Sequence, residues 1–237
     1  MSLLTLANTK LLKSSDYGYM SVGLSLAPNT MNSSQINLCG HSTESCRSSC
    51  LVYSGMNSMT VKNKIKKTDD FLKNRTEFLG KIHQELQKFK KKADSLNKIL
   101  TCRLNMYSDI NFAKIKITET KKSIYELNPD IQFIEYTRFW DRLSEHSNLN
   151  YTYSADRASV TDEDIQNQCA KGLNVSVIYK GDMPETYLDI NCIDGDLNDL
   201  RHTDPKGVIV LLKYKNAIKK NITNQELLNN NTTVYKF

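Results

Sequence analysis

With 237 residues, 39% hydrophobic and 24% charged, the chain is long enough to bury a sizeable core and too apolar to be disordered. Nine Gly and four Pro exclude a collagen-like chain and predict ordered elements with short connections. No apolar run approaches the roughly 20 residues that span a bilayer, and the first residues carry neither a basic cluster nor a small-residue cleavage site. A cytoplasmic protein with no membrane partner is expected. The six Cys then sit in a reducing compartment, where clustered thiols point to metal or redox chemistry rather than disulfides.

The first predicted strand is Met20 to Leu26. After it comes a loop with Cys39, Cys46 and Cys50 within twelve residues, while Cys102, Cys169 and Cys192 are scattered. Thiolates are soft ligands for zinc or for iron in an iron–sulfur cluster, and a compact loop lets three converge on one centre. Three Cys with an open fourth position suit a [4Fe–4S] cluster whose unique iron takes a small-molecule ligand. The same three with His41 suit a closed zinc site. The gaps of six and three residues match no ribbon built from two close Cys pairs.

Next comes one long helix over about 61–96. Val61, Ile65, Thr68, Leu72, Leu79, Ile82, Leu86, Phe89, Ala93 and Leu96 recur at three- and four-residue steps, and no Pro interrupts them. Between Lys62 and Lys92 there are eleven Lys or Arg against four Asp or Glu, a local balance of +7 that accounts for the whole net charge of +6 and leaves the rest of the chain close to neutral. A solvated outer face is the plainer reading of these lysines; binding of nucleic acid is the functional one.

Strands follow at Ile99 to Asn105, Ile131 to Tyr136, Leu149 to Ser154, Asn174 to Tyr179 and Gly207 to Lys215. Helices are expected at Ile115 to Leu127, Phe139 to His146 and Thr161 to Lys171. The last opens on acidic residues and stops at Gly172. Asp189, Asp194, Asp196, Asp199 and Asp204 crowd the approach to the last strand. They do not fit a calcium loop, and a solvated acidic turn is favoured over a divalent-ion site. Asn229 to Asn231 form an Asn-rich tail. Alternating strands and helices predict an α/β fold, a partial (β/α)6 barrel-like parallel sheet with crossover helices, in a single domain over 1–237.

In such a sheet, reactive groups gather where strands end. Asn105, Ser108 and Asp109 follow the second strand and Arg138 the third, and these are the candidate catalytic residues. Ser154, Asp156 and Arg157 follow the fourth and are candidates for holding a cofactor, the arginines by clamping a carboxylate or phosphate. No P-loop, Gly-x-Ser-x-Gly or His-Glu-x-x-His is present, so NTPase, serine hydrolase and zincin readings have no support.

Ser25-Leu26-Ala27-Pro28, the three cysteines ending in Cys50-Leu51, Arg103-Leu104-Asn105, Ser108-Asp109-Ile110, Tyr136-Thr137 and the Asp194-to-Pro205 pattern resemble the gene product 88-like phage proteins, over about Leu24 to Lys215. That resemblance implies phage or mobile-element origin and an intracellular life, and carries no reaction. The order of elements also loosely resembles radical S-adenosylmethionine enzymes, which place a three-cysteine loop after the first strand. Their gaps of three and two residues differ from those here, and no glycine-rich stretch follows strand two. This second resemblance implies an iron–sulfur cluster on Cys39, Cys46 and Cys50, with S-adenosylmethionine at the polar strand ends. The competing expectations are therefore an iron–sulfur enzyme acting on a small molecule, and a zinc-stabilised protein that binds nucleic acid or a host factor through its basic helix.

Overall fold

The computed structural model describes residues 2–6, 9–54, 59–215 and 234–236. The Asn-rich tail lies outside them. Ten strands form one sheet: β1 (Leu4–Thr5), β2 (Tyr19–Leu24), β3 (Ile99–Arg103), β4 (Gln132–Thr137), β5 (Leu149–Ser154), β6 (Val175–Lys180), β7 (Thr186–Tyr187), β8 (Ile190–Asp194), β9 (Ile209–Lys213) and β10 (Val234–Lys236). Their order is β1-β2-β3-β4-β5-β6-β9-β8-β7, with β10 beside β6. From β2 to β8 each neighbouring pair is parallel, and β1 and β7 add antiparallel edges. Five α-helices are described: α1 (Thr9–Lys13), α2 (Glu44–Ser48), α3 (Val61–Lys73), α4 (Arg75–Ser95) and α5 (Asp162–Ala170).

All six expected strands are present, with ends within two residues of those predicted, and the mixed α/β class stands. The parallel sheet expected of a partial barrel is present, but among the described residues it does not close: it is open, ending at β1 on one side and β7 on the other. The four additional strands are short edge or late pieces, too brief to show a hydrophobic period.

Pairing register divides the sheet into two faces, because side chains alternate along each strand. One face carries Val22, Leu24, Leu100, Cys102, Phe133, Tyr151, Val175, Val177, Ile209 and Leu211, which form the core with Phe71, Phe78, Leu79, Ile82 and Leu86 of α3 and α4. The other is largely polar. Ser21 faces Thr101 across β2 and β3, with their hydroxyls 2.6 Å apart, and Arg103, Tyr136, Thr152 and Ser176 continue the same face. The turn from Leu200 to Asp204 packs against β4 and β5, with Arg201 almost fully buried and His202 edge-on to Tyr19.

Three helix expectations are corrected. The long basic helix is broken at Asn74, whose backbone leaves the helical region; its side chain accepts the Glu77 amide at 3.2 Å and caps α4. Ile115 to Leu127 contains no helix. Thr118 and three β-branched Ile weaken helix formation there, and Ile117 pairs instead with Lys122 while Glu126 accepts the Ser123 amide. Phe139 to His146 forms turns, held open because Arg142 reaches Asp109 and the Trp140 indole donates to the Ser154 carbonyl. Thr161 to Lys171 folds as expected, with a reciprocal capping box between Thr161 and Asp164. Replacing Asn74 with Ala should therefore lower stability by about 1 kcal/mol in urea unfolding, through loss of the α4 cap.

Candidate functional site

The carboxyl ends of the parallel strands open onto a cavity of 710 Å³. Its wall takes Arg103 and Met106 from the end of β3, Tyr136 from β4, Ser154 from β5, Ile178 from β6 and Leu212 from β9. Cys39, Cys46 and Cys50 line the same cavity, together with Asn105, Ser108, Asp109 and Arg138. The loop after the first parallel strand and the later strand ends thus meet at one place.

All six cysteines are free thiols. Cys39 accepts the Asn29 amide at 3.3 Å and donates to the Tyr107 carbonyl at 3.4 Å. Burial pushes its pKa up to about 12, and the neighbouring Cys50 and Cys46 add to the rise. Burial likewise raises Cys50 to about 11, with Cys46 contributing. Cys46 is also raised by burial, although the Arg138 guanidinium hydrogen-bonds its sulfur and draws it back. Each thiol is therefore kept protonated by its dry setting, with Cys50 and Cys46 adding to the rise at Cys39 and Cys46 adding to that at Cys50. Among the described residues no group of three or more His, Cys, Asp or Glu side chains is arranged to hold a metal ion.

Asp156 organises the loop. Its carboxylate is fully buried, accepts the Thr43 hydroxyl at 2.5 Å and pairs with Arg138 at 2.7 Å. Thr43 is the N-cap of α2, the helical turn that carries Cys46. One carboxylate thereby ties the cysteine loop to the ends of β4 and β5. Asp109 performs a similar task, accepting the Thr137 hydroxyl, the Arg138 amide and the Arg142 guanidinium. Asn105 closes its own turn: its side-chain oxygen accepts the Ser108 hydroxyl and the Ile110 amide, and its nitrogen donates to the Ile110 carbonyl.

Two expected site residues lie elsewhere. His41 stacks on Phe139 with ring centroids 3.9 Å apart and lines a separate recess with Trp140 and Ser159. Arg157 lies over the Tyr235 ring and pairs with Asp162. The acidic stretch meets cations from within the chain: Asp196 takes Lys10 and Lys215, Asp199 takes Arg103, and Asp204 takes Arg201. Of the basic segment, Lys64 is buried beside the Tyr107 ring and Lys67 donates to the Leu3 carbonyl.

Sequence reading passed over Arg103, Tyr136 and Glu135. The first two share the polar face, a placement that two-residue alternation along β3 and β4 signals once the pairing register is known. Glu135 is fully buried and accepts the Leu104 and Asn105 amides, both at 2.9 Å. Desolvation outweighs those bonds and raises its pKa to about 7.

Two predictions arise from this geometry. Asp156→Ala leaves Arg138 buried without its carboxylate and should cost about 3 kcal/mol in urea unfolding, with faster alkylation of Cys46. The folded protein holds a proton on Glu135 that the unfolded chain releases above its ordinary value of 4.5, so that group's contribution falls as pH rises through 7. The stability difference between wild type and Glu135→Gln should shift against the wild type by about 1 to 3 kcal/mol between pH 5 and pH 8.

Among the described residues no helix is long and apolar enough to cross a membrane. Neither a curated protein nor a solved structure matches the chain. The sequence model of the Gene product 88 family matches residues 2–226, nearly the whole length, and the chain belongs to that family, the phage gene product family that its motifs resemble.

Proposed function

We propose that this protein is an iron–sulfur protein that binds a small molecule beside a cluster held by Cys39, Cys46 and Cys50. One observation carries the reading: three free, mutually interacting thiols line a 710 Å³ cavity into which β3, β4, β5, β6 and β9 also project. A cavity of this size suits a ligand of a few tens of atoms.

The donor set bears on the kind of centre. One zinc ion needs its ligands drawn in to about 2.3 Å for sulfur, in a tight tetrahedron. The thiols are not so gathered, and His41, the fourth ligand a closed zinc site would use, belongs to another recess. A polynuclear cluster spreads its cysteines over several iron atoms and accepts a wider triangle. With three protein sulfurs, one iron keeps an open position toward the cavity. When bound, such a cluster supplies one-electron transfer to the ligand on that iron.

The chain's own residues supply the setting. Arg138 stands at Cys46 and favours its thiolate, while Asp156 fixes Arg138 in place. Asp109 and Asn105 hold the strand-end turns, and Ser154 adds a polar group to the wall. S-adenosylmethionine is the ligand implied by the looser sequence resemblance, and it falls within this reading as the small molecule beside the cluster. No specific contact in α3 or α4 favours the nucleic-acid reading comparably, since Lys64 and Lys67 engage the protein itself.

Anaerobic reconstitution with iron and sulfide tests the proposal. Wild-type protein should take up about four iron and four acid-labile sulfide per chain. Cys39→Ser, Cys46→Ser and Cys50→Ser should each lose most of both, while His41→Ala keeps them. One tightly bound zinc in place of iron, or uptake unaffected by the cysteine variants, would overturn it.

A further inference from the structure

The charges lining the cavity are unevenly matched. Arg103 has Asp199, Arg138 has Asp156, and Asp109 has Arg142, each pair within 3.0 Å. The remaining wall charges are Lys10, Lys13, Lys213 and Lys215, and the one carboxylate among them is Asp196. Lys10 and Lys215 share that carboxylate at 2.9 and 3.2 Å, and Lys13 reaches only the Asp196 carbonyl. Lys213 gives Asp196 its backbone amide, which leaves its ammonium outside that bond. Asp194, behind the wall, accepts the Asp196 amide. Even counting it, this quarter of the cavity carries more cations than anions. These lysines come from α1 and from the end of β9, where the two margins of the open sheet approach each other through Lys10 and the Gly195 carbonyl.

A second feature points to a ligand independently. Tyr136 belongs to the cavity wall, and its buried hydroxyl has no hydrogen-bond partner among the described residues. The Arg103 guanidinium lies 4.4 Å from the centre of its ring and holds the ring in place. Tyr107, Tyr214, Leu51, Ile178 and Leu212 complete an aromatic and apolar lining. Rings and aliphatic surface accept a planar, apolar body, whereas an excess of ammonium groups calls for a multiply charged anion.

From these observations we infer that the small molecule of this cavity carries phosphate on a planar ring system, as a nucleotide does. Its phosphate lies at Lys13, Lys213 and Lys215, and its ring system lies against the Tyr136 side. This rests on the proposed function in assigning a small-molecule ligand to the cavity, but it does not require the cluster.

Adenosine monophosphate and adenosine serve as probes, titrated calorimetrically into wild-type protein whose iron content is measured in the same preparation. The monophosphate should bind at least tenfold more tightly than adenosine, and raising the salt should close that gap. The exposed double variant Lys213→Gln, Lys215→Gln should lose most of the preference with an unchanged circular dichroism spectrum. Tyr136→Phe should weaken both probes by a similar factor. Equal affinities for the two probes, or a double variant that keeps the preference, would overturn the inference. Preferential binding in iron-free protein would sustain it while counting against the cluster, and iron uptake without preferential binding would do the reverse.

Discussion

Arg103 stands on the polar face of the sheet, and its guanidinium pairs with Asp199, which arrives on the segment after β8 from the far side of the fold. Neither charge would be stable at that depth alone. Burial lowers the guanidinium's affinity for its proton, and Asp199 restores it; the carboxyl of Asp199 is in turn held below its ordinary range by Arg103. The pair fixes the distance between β3 and the Leu200–Asp204 turn, so that the lower part of the polar face is filled by Arg201 and the upper part stays open as the cavity. An open sheet thereby encloses a site that a closed ladder of backbone hydrogen bonds would otherwise have to enclose.

The cysteine loop depends on the same kind of contact. Among the described residues of 39–50, α2 is a helix of only five residues, too short to be stable by itself. Its position comes from Thr43 and Arg138 meeting on the Asp156 carboxylate, and from Asp109, whose amide donates to the Leu38 carbonyl while its carboxylate holds the Arg138 amide. Buried carboxylates therefore act as joints between elements whose backbones do not pair. The arrangement is sensitive by construction, because removing one partner exposes the others to the cost of an unpaired buried charge.

Much of this was legible in the residues themselves, and the failures share a cause. Leu149–Ser154 was read to the residue because its ends are marked by Asn148 and Ala155-Asp156, and the Ile209–Lys213 strand was found inside the expected Gly207 to Lys215 because its apolar residues are continuous. The site was legible as a set of strand-end positions, and five of its predicted members, Asn105, Ser108, Asp109, Arg138 and Ser154, do line one cavity with the three thiols. What failed was decided by long-range partners. Asn74 breaks a helix that periodicity carries straight through, since a capping bond to the next turn is invisible to an apolar count. His41 lies two residues from Cys39 in sequence, yet its ring settles on Phe139, a contact set by a strand nearly a hundred residues away. Arg103 and Tyr136 were passed over because their face of the sheet is defined only by register with neighbouring strands. The acidic run before β9 read as a solvated turn in isolation, and its Asp196, Asp199 and Asp204 are met instead by Lys10, Arg103 and Arg201 from within the chain.

The electrostatics of the cavity are incomplete in two complementary ways. Three thiols with pKa values raised by burial and by one another are stable as neutral groups, and become ligands only when a cation arrives to replace their protons. Elsewhere on the same wall, Lys10 and Lys215 share the Asp196 carboxylate while Lys13 and Lys213 stand beside it, and burial already lowers the pKa of Lys10. A neutral ligand would relieve neither condition. A cationic centre at the cysteines would lower the thiol pKa values and displace their protons, and because three thiolates outweigh a dipositive core the filled site would be more negative than the neutral thiols and would offset part of the lysine excess. Two occupants of this cavity would be coupled through the field they share, by the same factor in both directions, and an anionic ligand would bind less tightly beside a filled thiolate centre than beside the neutral thiols.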